Sequence, residues 1–389
     1  MKKSTIRCDT EGRILTINDC AAQIFGYSKE EIIGKKRVSL FSPGEIVLQN
    51  VAGWLDDAVK KGEYVGKTYF LNKNKKKINA KIRITPTFAN GKDKAQTGYC
   101  GVTEVINDDV EVPINFSTKL IKGLAITRMP FTSASILPIL AVGAYFAGVG
   151  DNLFNVTNFI LCIVGVMIAH LSSNVLNDYF DVKDGTDEKN SDYFQQVSGG
   201  SRAIELGLIT LNGTKKLGFI LITIALLIGG IILFSTNPAN INSVIICAIA
   251  GLFLGYFYTA PPLRLVAKKG LGELTIFLTF GPLITLGTAF AIFDGDLAST
   301  EHFINCLCIG IPMGLLTTNI LLINEFPDME SDQKTHKNHL VVTFGKENSR
   351  WIYLFILVLS ILFTYILATK IENTLILISL GLLLIYGGY

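Results

Sequence analysis

The feature that most constrains this chain is a series of long apolar stretches beyond residue 130. At about 1.5 Å per helical residue, each stretch is long enough to cross, or nearly cross, a hydrocarbon core of roughly 30 Å. Since 49% of the 389 residues are apolar and only 17% are charged, an ordinary soluble enzyme is excluded. The sequence predicts an all-α polytopic membrane bundle of eight spans, near residues 131–149, 153–176, 217–235, 242–258, 274–293, 303–323, 351–369 and 373–389.

Lysine and arginine are concentrated on one side of these predicted spans. The segments before the first span and after the second, fourth and sixth spans are rich in both, whereas the other connections contain only Lys370. The positive-inside rule places the basic side in the cytoplasm. Met1 to Thr16 contains no apolar signal-peptide core, so we expect the N-terminal region to stay there too. The predicted location is the inner (cytoplasmic) cell membrane, with a multi-pass topology.

The sequence of the first 110 residues predicts a small, water-soluble α+β domain. Residues 12–18 indicate a strand, Ser28 to Glu31 a capping box that opens a helix, and residues 47–60 an amphipathic helix. Three more strands are expected near 64–73, 76–88 and 97–106. The predicted division is a cytoplasmic domain at 1–110, a linker and membrane-entry segment at 111–130, and a membrane domain at 131–389.

Two acidic clusters lie at the cytoplasmic ends of predicted spans. The second span runs into Asn177, Asp178 and Asp181, and the sixth ends in Asn324, Asp328 and Asp332 at i, i+4, i+8 spacing. If the helices continue, each set shares a face. Carboxylates at helix C-termini oppose the macrodipole, and crowded carboxylates repel unless a cation neutralises them. The alternative is that they only solvate the helix ends.

The chemistry of these side chains favours Mg²⁺ bound together with a diphosphate. Oxygen ligands without thiolates or paired histidines suit Mg²⁺, which bridges a few carboxylates to phosphate oxygens. Basic residues near the clusters are candidates for binding the diphosphate, although each could instead be a topological anchor. They are Arg128, Arg202, Arg264, Lys268 and Lys337.

In this order, the motifs resemble the UbiA superfamily of intramembrane aromatic prenyltransferases, over about residues 118–370. The matching elements are Asn177-Asp178-Tyr-Phe-Asp181 with Gly185 and Asp187, Ser198-Gly-Gly-Ser-Arg202, Tyr258-Thr-Ala-Pro-Pro-Leu-Arg264, Gly270-Leu-Gly-Glu273, and Asn324 through Asp332 leading into Leu340-Val-Val-Thr-Phe-Gly345. The details resemble the menaquinone branch most. Two features depart from it: Asp332-Gln-Lys-Thr-His336-Lys337 replaces Asp-x-x-x-Gly-Lys, and eight spans are counted where the family has nine.

The resemblance implies Mg²⁺-dependent transfer of a polyprenyl group from polyprenyl diphosphate to an aromatic acceptor in quinone biosynthesis. The resemblance to the menaquinone branch implies 1,4-dihydroxy-2-naphthoate as the acceptor, with 4-hydroxybenzoate and homogentisate as alternative acceptors. It implies that Asp187 joins the metal ligands and that Asp178, Asp181, Asp328 and Asp332 are catalytic. Tyr256 and Tyr258 would offer π-faces to an allylic cation or, equally, anchor the chain at the lipid interface.

The N-terminal stretch from Asp9 to Gly34 resembles a PAS domain. Such domains are small-ligand sensors or dimerisation modules. The sequence therefore leaves two alternatives open, a homodimer formed through this domain and the binding of an unidentified ligand. The absence of histidine before His170 argues against a His-ligated haem. No nucleic-acid partner is expected.

Two non-enzymatic functions compete with the transferase. A cation-coupled transporter would place carboxylates near the bilayer midplane and often contain internal repeats. A PAS membrane sensor would need an output module. The position of both clusters at span ends on one side favours the enzyme.

Overall fold

The computed structural model describes residues 3–89, 95–149, 154–183, 201, 203–204 and 206–371. Asp187, Arg202 and the predicted eighth span at 373–389 lie outside these residues. Contacts divide the chain into two compact units. The first contains the described residues up to Ile126 together with Ser201–Thr210, and the second contains the remaining helices.

The first unit is built on a five-stranded antiparallel sheet of order β2-β1-β5-β4-β3. The predicted strands are confirmed. The strand β1 was not predicted, because its alternation of small polar and apolar residues is weak, yet it lies inside the sheet. The strands are β1 (Lys3–Asp9), β2 (Ile14–Ile17), β3 (Tyr64–Leu71), β4 (Lys77–Phe88) and β5 (Gln96–Val105).

Short helices cover this sheet: α1 (Asp19–Phe25), α2 (Lys29–Ile32), α3 (Gly44–Ile46) and α4 (Ala52–Lys61), with a π-helical turn at Val47–Val51. The predicted capping box is confirmed. The Ser28 hydroxyl accepts a hydrogen bond from Glu31 N at 3.3 Å, and the Glu31 carboxylate accepts one from Ser28 N at 2.9 Å. The rings of Phe25 and Phe41 stack at 4.1 Å in the core.

A further helix, α5 (Phe116–Thr127), occupies the segment expected to be a linker. The Asn115 side chain caps it by accepting a hydrogen bond from Thr118 N at 2.8 Å. The Thr118 hydroxyl donates to the Gln49 side chain at 2.7 Å, and Lys122 Nζ lies 2.5 Å from Glu45 Oε1. The compact first unit therefore extends beyond the sheet and includes most of α5.

The second unit is helical. Within the described ranges, seven helical segments are long and apolar enough to span a membrane, and they match the first seven predicted spans. The fifth is α10 and α11 joined by a π-helical turn at Thr279–Leu283. The helices are α6 (Ser133–Val149), α7 (Val156–Lys183), α8 (Leu211–Phe234), α9 (Ile241–Phe257), α10 (Leu271–Leu278), α11 (Ile284–Ile292), α12 (Glu301–Lys334) and α13 (Leu340–Lys370), the last interrupted at Gly345.

Glycines bring α12 and the fifth span into close contact. Gly310 and Gly314 lie four residues apart and so share one face of α12. A Cβ atom added to Gly281 would lie 2.6 Å from the carbonyl oxygen of Gly310, and one added to Gly314 would collide with the carbonyl of Phe277. Small residues at this spacing let helix backbones approach closely in membranes. This contact positions the helix that carries the second acidic cluster.

We predict that Gly314→Ala lowers the free energy of unfolding by about 1–3 kcal/mol, because the added methyl group overpacks this contact. Thermal unfolding in detergent measures the change. The matched control is Gly251→Ala in α9, where no atom lies within 4 Å of the new Cβ. Equal melting temperatures for the two variants would contradict the proposed packing.

Candidate active site

The last turns of α7 carry the first acidic cluster, and its members have separate partners. Asp178 is buried, with the Arg128 guanidinium 4.0 Å from its carboxylate. Asp181 Oδ1 lies 2.9 Å from Lys337 Nζ. The Asn177 side-chain oxygen accepts a hydrogen bond from the Thr259 hydroxyl at 2.7 Å. The cluster therefore lies between two basic side chains contributed by other parts of the unit.

The last turns of α12 surround a buried histidine. His339 is only 2% exposed, with Nδ1 3.2 Å from Glu325 Oε2 and Nε2 3.2 Å from Asp332 Oδ2. Burial alone would lower the pKa of His339, but the hydrogen bonds and charges of Asp332 and Glu325 outweigh it and raise this pKa to about 9. This raised pKa favours the charged imidazolium beside the carboxylates of Glu325 and Asp332.

Tyr258, the residue after α9, is influenced by carboxylates of both clusters. Burial, and then the negative charges of Glu325, Glu273, Asp181 and Asp332, raise its pKa well above the usual value. These carboxylates belong to α7, α10 and α12. The phenol therefore stays neutral and keeps a proton to donate, and the two acidic helix ends share one region of the bundle.

Glu273 orders the connection between α12 and α13. This buried carboxylate accepts a hydrogen bond from Leu340 N at 2.6 Å, at the first residue of α13. Lys337 and His339 lie immediately before this point, and both are buried. One hydrogen bond thus fixes the end of the segment that supplies positive charge to both clusters.

The other predicted site residues have different environments. Arg264 has a left-handed backbone (φ 41°) and precedes the turn Leu265–Ala267, whereas Lys268 is exposed. Tyr256 packs edge-on against Phe180 at 5.9 Å, in an aromatic cluster. Arg128 and Lys337 each form an ion pair with a carboxylate of the first cluster.

The side chains of the two clusters are the candidate ligands of the predicted Mg²⁺. Among the described residues, no three His, Cys, Asp or Glu side chains converge on a metal-sized site. Asp187 lies outside the described residues and Asn177 offers an amide oxygen, so the predicted ligand set of the first cluster stays a prediction. Mg²⁺, however, typically takes one or two carboxylates and completes its shell with waters and phosphate oxygens. Asn and Asp oxygens from two helix ends fit Mg²⁺ that arrives with a diphosphate.

Three residues of the site were not predicted: Glu273, Glu325 and His339. The two glutamates had a usable signal, because an acidic residue in an otherwise apolar span is a functional candidate by default. His339 had none in the sequence, because its partners depend on the path of the connection between α12 and α13.

These features define a polytopic membrane protein with two acidic helix ends at one shared site. The sequence profile of the UbiA prenyltransferase family matches residues 135–389, and that of a PAS domain matches residues 3–108. The chain belongs to the UbiA prenyltransferase family and carries an N-terminal PAS domain.

Individual relatives cover the membrane region. The chain is 26% identical to 2-carboxy-1,4-naphthoquinone phytyltransferase of Arabidopsis thaliana over 58% of its own length and 55% of the relative. It is 30% identical to human UbiA prenyltransferase domain-containing protein 1 over 61% of its own length and 65% of the relative. It therefore spans less than two thirds of these relatives. A UbiA homologue from Archaeoglobus fulgidus, solved with GPP and Mg²⁺, is similar with a TM-score of 0.49 and 17% identity, covering 68% of this chain and 84% of that one.

We predict that His339→Ala destabilises the protein by about 3 kcal/mol, because it leaves Glu325 and Asp332 without their shared counter-charge. The measurement is thermal unfolding in detergent. The control is His336→Asn, an exposed position whose left-handed backbone (φ 59°) asparagine tolerates. An unchanged melting temperature for His339→Ala would show that the histidine does not compensate the carboxylates.

Proposed function

We propose that this protein transfers a polyprenyl group from polyprenyl diphosphate to an aromatic acceptor in quinone biosynthesis. The observation that carries the proposal is the meeting of two acidic helix ends at one connection, where Lys337 pairs with Asp181 and His339 lies against Asp332. Membership of the UbiA family supports it. Because one relative is named a 2-carboxy-1,4-naphthoquinone phytyltransferase, 1,4-dihydroxy-2-naphthoate is the first acceptor to test.

The proposed metal ligands are the side-chain oxygens of both clusters. When bound, Mg²⁺ would neutralise the charge that develops on the departing diphosphate. The ligands are Asn177, Asp178, Asp181 and Asp187 from the first cluster and Asn324, Asp328 and Asp332 from the second, with the four aspartates Asp178, Asp181, Asp328 and Asp332 as the catalytic set.

The basic side chains complete the proposed diphosphate site. Lys337 and Arg128 lie beside Asp181 and Asp178, where they can contact an anion held at these carboxylates and stabilise its charge. Arg202, Arg264 and Lys268 are further candidates. The neutral Tyr258 hydroxyl can donate a hydrogen bond to an anion between the clusters.

The proposed reaction is an alkylation of the acceptor ring. The carbon–oxygen bond of the allylic diphosphate breaks, the diphosphate leaves with the bonding electrons, and a ring carbon of the acceptor bonds to the allyl group. The ring then loses a proton or, where that carbon bears a carboxylate, carbon dioxide. The apolar helices would exclude water from the cation, and Tyr256 and Tyr258 would offer π-faces to it.

The distribution of lysine and arginine supports a cytoplasmic position for this site. Both clusters and the PAS domain would then share the cytoplasmic side of the inner membrane, where a water-soluble diphosphate is accessible.

We predict that the purified, full-length protein in detergent makes a lipid-soluble product from radiolabelled polyprenyl diphosphate and 1,4-dihydroxy-2-naphthoate with Mg²⁺, and none with EDTA. Parallel reactions contain 4-hydroxybenzoate or homogentisate. Product with one of these alone would retain the class of enzyme and change the acceptor. No product with any acceptor would reject the proposed transferase.

The carboxylates are tested in the same assay. Asp181→Asn and Asp328→Asn should each lower turnover on the order of a hundredfold or more while the protein stays folded. The matched control is Asp296→Asn, an exposed aspartate in the connection between the fifth and sixth spans, which should match the wild type. Full activity in both cluster variants would remove the metal assignment.

We further propose that the PAS domain regulates this reaction through residues 203–208. Ala203 and Leu208 are buried, and a Cβ atom added to Gly44, at the start of α3, would lie 2.6 Å from the Leu206 carbonyl oxygen and collide with the Leu208 side chain. Residues 203–208 directly follow the predicted diphosphate motif, which ends at Arg202, and precede α8. The PAS domain therefore contacts the segment adjoining this motif.

We predict that Gly44→Ala raises KM for the polyprenyl diphosphate severalfold, because the new methyl group displaces residues 203–208. Steady-state kinetics of the full chain measure the change. Gly53→Ala is the matched control, since no atom lies within 4 Å of that new Cβ. Wild-type KM in a folded Gly44→Ala protein would reject this route of regulation and leave the transferase proposal intact.

A further inference from the structure

Helix α5 has two chemically different faces. Its sequence, Phe116 to Thr127, contains two lysines and no acidic residue. Thr118, Lys122 and Ile126 recur every four residues and therefore lie on one side of the helix. Phe116 and Leu120 lie on the opposite side, with Ile121 adjoining them.

Thr118 and Lys122, on the first face, contact other residues of the first unit. The Thr118 hydroxyl donates to the Gln49 side chain, and Lys122 is paired with Glu45. Ile126, on the same face, is buried. The Gln49 side-chain amide also donates to the Pro113 carbonyl at 3.0 Å, just before the helix. These contacts fix the rotation of α5 about its axis, so the opposite face cannot turn inward.

The second face is exposed and apolar. Phe116 is 79% exposed, Leu120 53% and Ile121 45%. Single exposed apolar residues are ordinary on a protein surface. Three on one side of an amphipathic helix form an apolar patch, and such patches are typically covered by a protein partner or a membrane. Lys119, also exposed, lies at the edge of this patch.

The position of α5 in the chain selects the partner. The helix ends at Thr127, and the first membrane span begins at Met129. The C-terminal end of α5 is therefore held by the covalent chain at the boundary of the hydrocarbon core. A helix there, with an aromatic and aliphatic face and only positive charges, matches the pattern of helices that lie in the interface of anionic bilayers.

We infer that α5 lies in the plane of the membrane surface, with Phe116, Leu120 and Ile121 inserted among the lipid acyl chains and Lys119 near anionic headgroups. The same helix packs against Glu45 and Gln49, so the PAS domain is attached to the lipid surface through its own structure and not through a free linker. This inference is independent of the reaction that the membrane domain catalyses.

Photocrosslinking of the full-length chain in proteoliposomes of phosphatidylcholine and phosphatidylglycerol tests the inference. The photoreactive residue p-benzoylphenylalanine replaces Phe116 in one variant, Leu120 in a second and Val65 in a third. Val65 is the matched control, because it is an apolar residue of the same unit, 47% exposed on β3, outside α5. Mass spectrometry after illumination identifies what each position has captured.

The expected result is a peptide whose mass is increased by one phospholipid for the variants at 116 and 120, and none for the variant at 65. A crosslink from 116 or 120 to a peptide of the membrane domain would overturn the inference, because the patch would then be covered by protein. A covalent dimer would overturn it in favour of contact with a second copy. Lipid adducts of equal yield at all three positions would also overturn it, since they would report a general proximity to lipid.

Discussion

The candidate site depends on the placement of negative charge at the ends of two apolar helices. A carboxylate removed from water costs several kcal/mol unless a counter-charge and hydrogen bonds compensate it. In this protein Arg128 compensates Asp178, and two further compensating groups, Lys337 and His339, come from the short connection between α12 and α13. The connection is ordered by Glu273, which accepts a hydrogen bond from Leu340 N. The two clusters are therefore electrostatically linked through one segment.

The same connection accounts for the departure from the menaquinone-branch motif. Where that branch has glycine, this chain has His336, and its backbone adopts a left-handed conformation with φ of 59°. Glycine reaches this region without strain, and histidine is among the residues that visit it more readily. The turn thus keeps the glycine-like geometry, and the following Lys337 still reaches Asp181.

Packing of the bundle uses a different principle from packing in the PAS domain. The PAS core buries large side chains such as Phe25 and Phe41 against one face of the sheet. In the membrane, lipid is as apolar as leucine, so burying large side chains yields little driving force and close backbone contact matters more. The glycines of α12 and the fifth span provide that contact. Large apolar residues such as Leu227 and Phe234 are exposed on α8, as a lipid-facing surface requires.

The sequence by itself determined the membrane spans, the PAS domain and the two acidic clusters. Spans are predictable because a chain in lipid must satisfy its backbone hydrogen bonds internally, so that an apolar run of sufficient length forms a helix. The capping box at Ser28 is equally local, since both of its hydrogen bonds join residues three apart. The motifs and their order also identified the family, because recognising them requires no knowledge of contacts between distant residues.

Only the tertiary structure decided which groups neutralise the carboxylates, that β1 lies inside the sheet, and where α5 packs. His339 becomes a counter-charge because its connection folds back onto α12, and the contact between Thr118 and Gln49 joins residues 69 positions apart. Leu206 and Leu208 lie against Gly44 across a separation more than twice as long. These interactions depend on the path of the whole chain, and hydropathy and local spacing carry no information about it.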